Sequence, residues 1–152
     1  MKRILATAIL LALSGQALAH DGPQHSEHHA ATPPPPPGSN EKLRAPIASA
    51  DGLEVLISDV VIPPNATVPR HYHPGEEFLY VISGSAVHVQ DGQDDIELAA
   101  GDSYVIPPRA AHSPRGGPDG ARAIVFRVHR DGMPERILLE DGETPPPEED
   151  EG

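Results

Sequence analysis

His71-Tyr72-His73-Pro74-Gly75-Glu76-Glu77-Phe78-Leu79-Tyr80-Val81-Ile82-Ser83-Gly84 decides how the rest of the chain is read. His71 and His73 stand at i and i+2, so on a strand both imidazoles leave the same face and aim at one point, as ligands sharing a metal must. Glu76 and Glu77 follow within a few residues, and His112 arrives later from a proline-rich loop. Two or three neutral imidazoles with a carboxylate suit one divalent transition metal, whether Fe, Mn, Ni, Cu or Zn. Taken alone, the His-x-His pair also fits two part-exposed strand histidines.

Outward from this stretch, the middle of the chain reads as strands and turns. Phe78–Ile82 is a continuous apolar run closed by Ser83-Gly84, and Glu54–Ile62 is rich in Val and Ile and ends at Pro63-Pro64-Asn65. Ala86–Gln90 alternates and meets Asp91-Gly92, a hairpin signal. Ile96–Leu98, Ser103–Ile106 and Ala121–His129 are further strands, with Arg136–Leu139 a last edge strand. Short strands separated by turn residues indicate an all-β barrel or sandwich.

Two motifs now resemble the cupin superfamily. His71-x-His73-xxx-Glu77, followed by Gly84, is similar to its first motif, and Gly101-Asp102-xxxx-Pro107-Pro108-xxx-His112 to its second. The likeness runs from about residue 47 to 130 and is nearest to small single-domain, quercetin-dioxygenase-like cupins. It implies a double-stranded β-helix, a jelly-roll barrel, enclosing one metal held by His71, His73, Glu77 and His112. Strand parity also groups Glu77 with the two histidines, but Pro74-Gly75 interrupts the strand; the motif spacing selects Glu77 and leaves Glu76 as an outer carboxylate. Asn65 stands where the family has glycine and is able to take positive φ. Arg109 and Gly116 replace a usual glycine and asparagine in the second motif.

The ends read differently. Lys2-Arg3, the apolar run 4–13 and Ala17-Leu18-Ala19 form a signal peptide over 1–19. The run is shorter than the roughly 20 residues a membrane span needs. Cleavage after Ala19 and export, to a periplasm or beyond, are expected, with no membrane anchor left. Residues 20–44 read as a disordered linker with His20, His25, His28, His29 and Pro33–Pro37; those histidines are a candidate metal scavenger or plain solvated linker. Residues 45–140 form the cupin domain, and 141–152 an acidic, proline-rich disordered tail.

Composition narrows the function. The 152 residues include no cysteine, which removes disulfide frameworks, Cys-ligated zinc and thiol nucleophiles. A formal charge of -12 opposes nucleic acid or an anionic membrane as partner. Alternation in Ala86–Gln90 and Ala121–His129 places His88 and His129 outside, with Phe78, Tyr80, Tyr104 and Phe126 in the core and Tyr80 and Tyr104 as candidate pocket walls. Arg70, Arg109 and Arg115 flank the motifs and read as solvated charges in so acidic a chain, with contact to an anionic substrate as the alternative. The partner is then a small-molecule substrate or ligand, and the resemblance implies a homodimer. Two functions fit: a metal-dependent oxidoreductase of dioxygenase type or an isomerase, and a non-catalytic module that binds or buffers a metal or small ligand. Ligation needs neutral imidazoles, so metal affinity is expected to fall below about pH 6.

Overall fold

The computed structural model describes residues 33–147; residues 1–19 read as a signal peptide, the histidines of the 20–32 segment and residues 148–152 lie outside the described part. Its strands are β1 (Gly38–Pro46), β2 (Leu53–Ile62), β3 (His71–Tyr72), β4 (Glu76–His88), β5 (Ile96–Ala99), β6 (Ser103–Ile106), β7 (Arg115–Arg130) and β8 (Ile137–Leu138). The Val/Ile-rich segment expected as a strand is β2, and it pairs antiparallel with β7 in unbroken register from Leu53↔Arg130 to Ile62↔Ala121. Phe78–Ile82 and Ala86–Gln90, read as two strands, are largely one: β4 runs through Ser83-Gly84 with register shifts at Val81/Ser83 and Gly84/Ala86. β1 begins at Gly38, inside the segment read as linker, and pairs with β2.

The sheets make an all-β domain with a cupin-like strand order, but they do not close. One six-stranded sheet follows the order β1-β2-β7-β4-β5, with β6 also on β4, and β3 and β8 form a separate two-stranded sheet. The jelly-roll barrel expected from the sequence is therefore incorrect for this molecule. Segment 65–73 runs against 109–117 through single bridges, Thr67↔Arg115 and His71↔His112, and 89–91 joins through Gln90↔His112. Pro69, Pro74, Pro107, Pro108 and Pro114 explain the interruption, because each lacks the N–H that a continuous ladder needs.

The alternation is correct in period and inverted in direction. His88 and His129 are buried rather than exterior, with Arg127 and Glu77 beside them on the inner faces of their strands. Phe78 (42% exposed), Tyr80 and Phe126 (41%) face out rather than forming core. The core is instead aliphatic, built on Leu56, Val81, Leu98, Ile106 and Val125, together with Tyr72. Two non-glycine residues take left-handed backbone: Asn65 at φ 56 and Arg109 at φ 60, both where the motifs usually carry glycine.

Candidate metal centre

His71 lies on β3 and His73 just beyond it, while His112 reaches them from the facing loop. The amide of His71 donates to the carbonyl of His112 at 3.0 Å, and that of His112 donates back to His71 at 2.9 Å. Main-chain pairing therefore sets the two histidines side by side before any side chain acts. One nitrogen from each of His71, His73 and His112 lies within 4.8 Å of the others, and all three residues are buried.

The rings are also in the right chemical form for a metal. Nδ1 of His71 meets the Pro69 carbonyl at 2.7 Å, Nδ1 of His73 the Glu135 carbonyl at 2.6 Å, and Nδ1 of His112 the Ala110 carbonyl at 2.8 Å. A carbonyl oxygen only accepts, so each Nδ1 carries a proton, which leaves the Nε2 of His71 and of His112 with a bare lone pair and turns the Nε2 of His73 toward Glu77. Nε2 of His73 is buried, with Glu77 Oε2 2.8 Å away. Burial, then the neighbouring His112, lowers His71 to about 3; burial lowers His112 to about 4 against the opposing pull of the Ala110 carbonyl. Both are neutral ligands at physiological pH. The donor set fits a divalent transition metal.

Glu77, on β4, stands next to this group. Its Oε2 is 2.8 Å from His73 Nε2 and accepts from Arg127 Nε at 2.7 Å. Burial by itself would raise the carboxyl, but the Arg127 guanidinium and then His73 outweigh it and hold Glu77 well below the usual carboxylate range. Glu76 is exposed, as expected of an outer carboxylate.

A cavity of about 120 Å³ opens beside the histidines. His71, Glu77, His88, His112 and Arg127 line it, with apolar walls that include Leu79, Val81, Ile106 and Val125. His88, read from sequence as exterior, lies with its ring centroid 5.4 Å from that of His112 and 5.0 Å from that of Tyr104. Its Nε2 meets Gln90 Oε1 at 3.1 Å. Tyr104 is thus near the site, whereas Tyr80 is exposed and forms no pocket wall.

The sequence reading missed Arg127, Glu135 and His88. Parity from an inward Glu77 would have turned Phe78 and Tyr80 outward, but it could not find these three: register shifts at Val81/Ser83 and Gly84/Ala86 lie between Glu77 and His88, and Arg127 and Glu135 come from later segments. Of the arginines, Arg70 pairs with Asp91, and Arg109 sits 5.6 Å from the centre of the Tyr72 ring, so neither is a simple solvated charge. Arg115 is exposed as expected.

Residues 58–128 match the family model described as a cupin domain. The chain carries a cupin domain. Among curated proteins, this domain is similar to 3-hydroxyanthranilate 3,4-dioxygenase of Xanthomonas oryzae pv. oryzae, with 35% identity over 81 residues, 51% of this chain and 44% of that enzyme. The enzyme of the same name from Burkholderia cenocepacia is 32% identical over 77 residues, 49% of this chain and 44% of its own length. The chain spans less than half the length of these relatives. Among solved structures, a DMSP lyase from Ruegeria pomeroyi DSS-3 aligns at TM-score 0.50 and 25% identity, over 62% of this chain and 47% of that one. A deletion mutant of Bacillus subtilis oxalate decarboxylase aligns at TM-score 0.51 and 17% identity, over 66% and 30%, a likeness of fold. Among the described residues, no helix is long and apolar enough to cross a membrane.

Proposed function

We propose that this chain is an exported, metal-dependent cupin acting on a small molecule, as an oxidoreductase of dioxygenase type or as an isomerase. The observation that carries the metal is the convergence of three buried Nε2 atoms, each with its Nδ1 fixed by a backbone carbonyl. His71, His73 and His112 would hold the ion, with Glu77 beside them as the carboxylate placed to serve as a fourth ligand. A bound transition metal would supply a Lewis acid, and a redox centre if the element is redox-active.

The chain's own residues supply the rest. Leu79, Val81, Ile106 and Val125 exclude bulk water and favour a compact, partly apolar ligand. His88 is the one histidine of the cavity lining outside the ligand set among the described residues. Because Gln90 Oε1 only accepts, His88 Nε2 donates to it, and this contact fixes the ring in the cavity wall, where an imidazole outside the ligand set is a candidate proton-transfer group. A proton-transfer group distinct from the ligands favours turnover over passive binding. The names of the curated relatives support oxygen chemistry over the half of their length that aligns.

Elemental analysis of purified protein beside a His73→Ala variant tests the metal, with His20, His25, His28 and His29 replaced in both so that only the buried site is counted. One equivalent lost in a folded variant is expected; equal metal content overturns the site. Oxygen uptake on phenols, thiols and diketones then tests the reaction. Stable metal without turnover across such a panel would leave the non-catalytic binding module. Export rests on residues 1–19 and predicts a periplasmic chain beginning at His20; a cellular chain retaining Met1 would refute it. A homodimer is supported by the outward apolar row Leu43, Ile57, Phe126, Phe78 and Val105, which cross-strand register aligns over β1, β2, β7, β4 and β6.

A further inference from the structure

Next to the three histidines a chain of polar groups runs from buried Glu77 through buried Arg127 to half-buried Glu135. Arg127 on β7 is the cross-strand partner of Leu56 on β2 and of Glu77 on β4, so its side chain enters the inner layer between them. Its Nε donates to Glu77 Oε2 at 2.7 Å, and one terminal nitrogen donates to Glu135 Oε1 at 2.6 Å and weakly to Ser58 Oγ at 3.4 Å. Glu135 is fixed in turn by Ser39 Oγ, which donates to the same Oε1 at 2.5 Å, and its backbone carbonyl accepts from His73 Nδ1. The guanidinium thus bridges two carboxylates, one beside the metal position and one on the loop that fixes a ligand's tautomer.

The oxygen of Glu77 that Arg127 holds is also the one that approaches His73 Nε2. A guanidinium stays charged at any working pH, and its planar fork suits bridging of this kind. Lone-pair density engaged by it is less available to a metal, and its positive charge repels a divalent cation in the same desolvated layer. We propose that Arg127 is a positioning residue that restrains Glu77 and thereby weakens it as a fourth ligand, while Glu135 holds the guanidinium in place. This rests on the metal site proposed above. Arg127 makes the centre depend mainly on its three histidines and keeps the carboxylate in reserve. The outer group would then limit metal affinity, opposite to the usual supporting role of such groups.

The test is a double-mutant cycle on cobalt(II) binding in full-length mature protein whose His20, His25, His28 and His29 are changed to Gln. Arg127→Gln should tighten cobalt binding by about tenfold or more, within the 10–100-fold range over which outer groups act. It should also shift the visible d–d bands as Glu77 joins the ion. In a Glu77→Gln background the same substitution should tighten binding much less and leave the bands in place. A purely structural role predicts looser binding in both backgrounds, and that result overturns the proposal, as does unchanged affinity in the Glu77 background. If Arg127→Gln does not fold, Arg127→Lys serves: a single ammonium is a poor bridge for both carboxylates, so intermediate tightening is expected and weakening overturns. Wild-type protein that binds no cobalt fails the metal site itself; wild-type binding without tightening fails only the role of Arg127.

Discussion

Metal-free protein taken from pH 7 to pH 5 should lose about 4 kcal/mol of unfolding free energy, worked from 1.4 kcal/mol per unit of pKa difference. Burial, with His112 beside it, holds His71 at about 3, and burial holds His112 at about 4. In the unfolded chain both titrate near the ordinary value of about 6.5. The unfolded chain therefore binds the extra protons, so this stability is complete above about pH 6.5 and is lost as pH falls toward the folded values. Over the roughly 1.5 units from 6.5 to 5, each histidine removes about 2 kcal/mol. The size hardly depends on the folded values, because both lie below pH 5. Glu77, lowered too, begins to destabilise only on acidification through the carboxylate range, so the interval isolates imidazoles. His129, lowered chiefly by burial, acts in the same direction. A loss of about 4 kcal/mol is a large part of a typical 5–15 kcal/mol. Urea unfolding at pH 7, 6 and 5 in the presence of EDTA reads it directly, with the m-value as a check that the end states are unchanged. A free energy constant within about 1 kcal/mol from pH 7 to 5 would refute the claim that the fold holds these rings neutral. Metal release would move with it: His71 and His112 stay unprotonated to about pH 4, below the pH 6 expected for exposed imidazoles.

Arg109→Gly should be nearly neutral in thermal unfolding, since relief of left-handed strain, about 1–2 kcal/mol, offsets loss of the Tyr72 contact, about 0.5–1 kcal/mol; Arg109→Ala keeps the strain and loses the contact, so it should melt lower. Gly75→Ala should destabilise by more than about 2 kcal/mol and reduce metal content, because its Cβ would collide with the Val128 carbonyl and push the start of β4 away from β7. Phe126→Glu places a charge in the outward apolar row, and sedimentation should show a dimer for wild type and a monomer for the variant; a wild-type monomer disproves the interface.

The metal site was more legible than the fold around it. His71, His73 and His112 could be chosen because their spacing and motif context are local, and the structure brings all three together. Closure into a barrel was not legible, because it depends on whether proline-broken segments such as 65–73 and 109–117 complete their ladders, and here they meet through single bridges. Arg127 and Glu135 were missed because their partners are remote. Arg127 reaches Glu77 across 50 positions, and His73 reaches the Glu135 carbonyl across 62. β1 was missed because proline and charge in its surroundings resemble a linker, and only pairing with β2 makes it a strand.

The sequence by itself determined which residue types could hold a metal, and that most of the middle of the chain is β-structure with a period of two. A period of two divides each strand into two faces without saying which face is inside. Tertiary structure decided that. It turned Glu77, His88 and Arg127 inward around a polar site and left Phe78 and Phe126 outside. The physical reason is that buried charges are tolerable only when partners from other strands meet them. Those partners, Arg127 for Glu77 and Glu135 for Arg127, exist only once β4, β7 and the loop after β7 have come together.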